Sequence, residues 1–90
     1  MTLHTEDIIM ERNEYERNIF IICNLLRANY DLITKQKICQ VYNLITDKRP
    51  DVPGYYLTDA MENWGKKNDY QFLFNVNRQG KRRNVMLVKA

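Results

Sequence analysis

The chain has 90 residues, 44% of them apolar and 28% charged, a composition that fits one folded domain, and no apolar run nears the ~18 residues of a membrane span. The net charge of +3 is unevenly spread: residues 1–64 hold seven basic and ten acidic side chains, residues 65–90 seven basic and one acidic, which is −3 against +6. A basic C-terminal third points to a polyanion, most often nucleic-acid phosphate, with a solvated tail as the plain alternative. The first five residues carry no basic stretch followed by an apolar block, so no signal peptide is predicted and the chain is expected to be cytoplasmic.

Thr5 is placed to cap a first helix whose opening turn carries Glu6 and Asp7, favourable at the positive end of the helix dipole. At 100° per residue, Ile8, Tyr15, Ile19, Ile22, Cys23, Leu26 and Tyr30 form one stripe that includes a single polar residue, Arg12. The pattern predicts a helix from about Glu6 to about Asn29, ~36 Å long, which exceeds what so small a domain needs. Ile9, Phe20, Ile21 and Leu25 fall off the stripe. Phe20, Ile21 and Leu25 are therefore expected to meet a second copy of the chain or an N-terminal segment.

Tyr30 to Ile33 reads as a short edge strand, and Thr34 offers the cap of a second helix with Ile38, Val41, Tyr42 and Ile45 on its core face. Gln36, Gln40, Asn43 and Asp47 take the water side. Two prolines, Pro50 and Pro53, then make a loop of about eight residues. From Gly54, Leu57, Ala60, Met61 and Trp64 recur at i, i+3, i+4 and i+7, with Gly65 as a natural terminator. At that spacing Trp64 reads as core and not as a ligand-stacking residue.

Beyond Asp69 the period becomes two: Tyr70, Phe72, Phe74 and Val76 share one face. A two-residue turn at Gln79-Gly80 predicts a hairpin that pairs Phe74 with Val85 and Phe72 with Leu87. Its tip, residues 77–84, carries Arg78, Lys81, Arg82 and Arg83 and no acid. Such a tip serves a polyanion or solubility.

Two cysteines, Cys23 and Cys39, sit in apolar helical runs and are expected to be buried free thiols. With one histidine, His4, and no Cys-x-x-Cys or His-x-x-x-His spacing, the sequence predicts no metal site. There is no Gly-rich phosphate loop and no nucleophile elbow, so the expectation is a protein that is not an enzyme and uses no cofactor.

Helix, short strand, helix, helix and a hairpin with a basic tip is the element order of the winged helix-turn-helix family, which this chain resembles over nearly its whole length. The resemblance implies an α+β fold of three helices with a C-terminal β-hairpin, a single domain over residues 1–90, a recognition helix at 54–65 and a wing at 77–84. It also implies binding to double-stranded DNA, with that helix in the major groove and the wing on phosphates or in the minor groove. The loop before the third helix is longer than the 3–4 residues of a simple helix-turn-helix.

On the third helix Tyr56, Asn63 and Lys67 lie together on one flank. Asn63 is suited to the N6 and N7 edge of adenine, Tyr56 to stacking or a phosphate, and Lys66 with Lys67 to the backbone. A solvated surface explains each of them singly. Asp59 and Glu62 oppose phosphate unless they accept hydrogen bonds from cytosine amino groups. The simpler expectation is a Glu62–Lys66 surface pair worth ~0.3–0.5 kcal/mol. The leading functional expectation is a regulator of transcription or of a mobile element. A protein-binding adaptor on the same scaffold comes next, followed by an RNA-binding role.

Overall fold

The computed structural model describes residues 3–46 and 54–90, apart from the side chains of residues 3–11 and 46. These residues form α1 (Leu3–Leu26), β1 (Leu32–Thr34), α2 (Lys35–Thr46), α3 (Gly54–Asn68), β2 (Tyr70–Val76) and β3 (Arg82–Lys89). The architecture is α+β: three helices against a three-stranded antiparallel sheet in the order β1-β3-β2, with β2 and β3 as a C-terminal hairpin. The predicted loop at 47–53 and the side chains of Ile8 and Ile9 lie outside the described residues. No helix among the described residues is long and apolar enough to cross a membrane.

One core joins all the elements. Tyr15, Ile19, Ile22, Cys23 and Leu26 of α1 meet Leu57, Ala60, Met61 and Trp64 of α3, with Ile33, Ile38, Tyr70, Val85 and Leu87 closing the space. The helical and strand periods predicted these faces because each buried set lies on one side of its element. α3 packs mainly on α1 and β2, while α2 packs on α1 and beside β1. Trp64, 1% exposed, stands at the centre, its ring 4.9 Å from that of Tyr70, and its indole N–H donates to Asn24 Oδ1 at 2.9 Å. Burial pushes the Cys23 thiol up to about 12, so it stays protonated at neutral pH. Cys39 is only half-buried, contrary to expectation. Its thiol is also raised, burial outweighing the charge of nearby Lys35.

Several boundaries differ from the sequence reading for identifiable reasons. α1 begins at Leu3, so Thr5 lies within the helix and does not cap it; the first turn lacks i−4 bonds, which makes a start soft by a residue or two. It ends at Leu26 because the N–H groups of Asn29 and Tyr30 both turn back to the Leu26 carbonyl. Tyr30 is thereby drawn into the closing turn and left exposed, and β1 starts two residues later than predicted. The Thr34 cap forms as expected, its Oγ1 accepting from Lys37 N–H at 3.1 Å. Ile45, expected in the core, is 61% exposed.

Gly65 does not end α3, which continues to Asn68. The glycine is there for closeness: a Cβ at this position would lie 2.8 Å from Leu87 Cδ2 and 2.9 Å from the Tyr70 carbonyl oxygen. Termination falls to Asp69, with φ of 60°, while Asn68 Nδ2 donates to the Trp64 carbonyl at 2.8 Å.

The hairpin turn holds three residues and not two. Asn77 N–H donates to the Lys81 carbonyl and Gly80 N–H to the Asn77 carbonyl, with Gly80 at φ 78° taking the left-handed position of a three-residue loop. The one-residue shift is cancelled by a bulge at Asn84, with φ of 54°. Asn75 therefore pairs with Arg83, and Leu73 with Met86. Phe72 and Leu87 are partners as predicted. The Phe74–Val85 pair is displaced by the bulge.

Candidate nucleic-acid interface

The cationic side chains singled out from the sequence fall into two groups. The first is the hairpin tip. Asn77 Oδ1 accepts from the N–H groups of both Gln79 and Lys81 at 2.9 Å, which fixes the loop independently of its cations. Arg78, Lys81, Arg82 and Arg83 are exposed, and none has a carboxylate partner among the described residues. Arg82 is held on the face of the sheet that continues the core, its guanidinium 4.6 Å from the Phe74 ring centre and 5.7 Å from that of Phe72. Stacking of this kind restrains a long side chain and leaves its N–H groups free to donate. Burial falls off along β2 from Tyr70 to Val76, so the distal hairpin stands clear of the core.

The second group lies on α3. Asn63, Lys66 and Lys67 are exposed and Tyr56 is half-buried. Lys67 Nζ sits 5.3 Å above the ring of Phe20, on the side of α3 that faces α1. Phe20 therefore finds cover within the chain and packs against the core, so its expected role in a contact between copies is not needed to bury it. Ile21 and Leu25 remain 48% and 58% exposed.

Arg12 changes the electrostatics of α3 in a way that no local pattern announced. It lies 47 residues from Asp59, yet its guanidinium donates to Asp59 Oδ2 at 3.1 Å and covers the Tyr56 ring at 4.6 Å. The edge-on contact of Tyr55 with Tyr56, at 4.9 Å between ring centres, completes the group. Tyr56 is thus already stacked on a cation. Glu62 makes the expected pair with Lys66 at 3.9 Å, both side chains partly exposed and the pair correspondingly weak. Both acids that oppose phosphate on this helix have a cation beside them.

The two groups do not form one patch. Lys66 and Lys67 sit at the base of the hairpin, and the seven residue steps from Tyr70 to Asn77 put the tip roughly 23 Å away at ~3.3 Å per residue. On B-DNA this is about seven base pairs, less than one helical turn. Among the described residues no group of three or more His, Cys, Asp or Glu side chains is arranged to hold a metal ion. Comparison with family models, with curated proteins and with solved structures finds no match to this chain.

Proposed function

We propose that the protein is a small winged-helix DNA-binding protein, a regulator of transcription or of a mobile element that contacts duplex DNA through α3 and the β2–β3 wing without a cofactor. The hairpin tip carries the proposal. Four cations without carboxylate partners among the described residues are gathered at a turn that the Asn77 side chain already organises, at a place where no core needs them. Phosphate is the natural counter-charge. Pairing of Asp59 with Arg12 and of Glu62 with Lys66 lessens the repulsion that bare acids on α3 would exert.

The test is a titration of random-sequence duplex DNA against the full chain at several salt concentrations. Four phosphate contacts give a log–log slope of about −3.6, or about a hundredfold loss of affinity from 50 to 200 mM salt. No binding, or a flat response, overturns the proposal in favour of the protein-binding adaptor.

One observation bears on that second reading and on a homodimer. Ile21, Leu25, Leu44 and Ile45 are all exposed, Leu44 at 83%, and Ile21 and Ile45 help line a shallow apolar hollow of about 110 Å³ between α1 and α2. In the DNA-binding reading a second copy covers this face, doubling the phosphate contacts of each complex. Sedimentation at tens of micromolar is expected to give a dimer, and Ile21→Lys a monomer. A wild-type monomer unchanged by Ile21→Lys excludes the dimer.

A further inference from the structure

The pairing of β1 with β3 covers only Met86 to Val88, because the chain then leaves the sheet at Thr34 to enter α2. Among the described residues no strand pairs on that side with the neighbouring stretch of β3, Arg83 to Val85, and the Asn84 bulge falls within it. The result is an open cleft of about 470 Å³ between the start of α2 and the hairpin. Lys35 and Gln36 line it from the helix, and Asn75, Arg83 and Asn84 from the strands.

The chemistry of this cleft is one-sided. Lys35 and Arg83 bring two positive charges to one concavity, and none of the described residues lining it is acidic. Neither cation has a carboxylate partner among the described residues, and the first turn of α2, where acids are normally favoured, has none. Gln36, Asn75 and Asn84 add amide N–H donors. Uncompensated like charges in a shared hollow repel each other, and a bound anion with several acceptor oxygens removes that cost. Arg83 also follows Lys81 and Arg82 in the chain, so the cleft adjoins the basic tip.

We infer that this cleft seats a backbone phosphate of duplex DNA, with Lys35 and Arg83 as its two cations and the amides of Gln36, Asn75 and Asn84 as further donors. The inference rests on the DNA-binding reading and adds Lys35 of α2 to the Arg83 contact of the hairpin. It joins α2 to the wing through one phosphate. The two cations therefore act as a unit, unlike Arg78, Lys81 and Arg82, which spread over several phosphates.

The test measures random-duplex affinity against salt for the full chain and for Lys35→Gln, Arg83→Gln, the double variant and Lys89→Gln. Lys89 is an exposed cation at the opposite end of β3, outside the cleft. Each single cleft variant leaves one cation on the phosphate and is expected to lower the magnitude of the slope by less than 1, and the double variant by about 1 in total, since the one phosphate is lost when both cations go. Adding duplex to labelled wild-type protein is expected to shift the amide signals of Lys35, Gln36 and Asn84. Cleft variants that match Lys89→Gln, together with unmoved signals, overturn the cleft while the DNA-binding reading stands. A wild-type slope near zero overturns both. A fall of about 2 in the double variant means separate phosphates and overturns the shared site.

Discussion

Neutralising Arg78, Lys81 and Arg82 together, each to Gln, is expected to weaken binding to every duplex alike and to lower the magnitude of the salt slope by about 2.7. That change corresponds to several hundred-fold in affinity at 0.1 M salt, if the ionic contribution vanishes near 1 M. The size of the effect follows from placement. These side chains stand on a turn whose conformation is set by Asn77 and Gly80, so the loop survives their replacement and the loss is one of charge. Arg82 has a second role, since it covers Phe72 and Phe74. Gln in its place exposes those rings without disturbing the buried core.

Asn63→Ala gives the contrast that separates phosphate contact from base reading. Asn63 is exposed on α3. If it bridges an adenine edge, its loss costs ~1–3 kcal/mol on one preferred sequence and little on others, with the salt slope unchanged. The tip variant moves the slope and spares the sequence preference. Were the tip variant to keep wild-type affinity and slope, the basic turn would be a solvated one, and the exposed face of α1 and α2 would become the better place to look for a partner.

What was legible in the sequence is what periodicity encodes. The α3 stripe of Leu57, Ala60, Met61 and Trp64 repeats within one element and is buried throughout, whereas the alternation in β2 marks a face on which Tyr70 is buried, Phe72 half-buried, and Phe74 and Val76 exposed. Features that depend on a distant neighbour were not legible. Gly65 has the same local signature whether it ends a helix or admits another element, and only Leu87 and Tyr70, brought close by the sheet, decide between them. The hairpin illustrates how two errors can cancel: a turn one residue longer than expected and an unforeseen bulge at Asn84 together restore the Phe72–Leu87 pair. Asn84 tolerates the left-handed conformation better than most residues, so an asparagine near a basic turn was the available hint. The Arg12–Asp59 contact and the cleft at Lys35 and Arg83 join segments 47 and 48 residues apart, beyond the reach of any local rule.

Trp64→Ala is expected to cost ~3–5 kcal/mol, a large part of the ~5–13 kcal/mol that holds a 90-residue domain together. Trp64 is the chain's only tryptophan and is almost fully buried, so its removal leaves a cavity bounded by α1, α3 and Tyr70. Asn24 loses the indole donor, but Asn24 is exposed and water replaces the bond, so the cavity dominates over the hydrogen bond. The thermal midpoint, followed by circular dichroism, should fall by at least ~12 °C. Trp64→Phe keeps a ring against Tyr70 and should lose less than half as much. At a temperature where the Ala variant is still folded, the part of its salt slope owed to the hairpin tip should equal that of the wild type, because the tip lies roughly 23 Å along β2 from the Tyr70 end that Trp64 supports. A midpoint within about 2 °C of the wild type would mean that the space is refilled by its neighbours and that Trp64 is not the residue on which this small core depends.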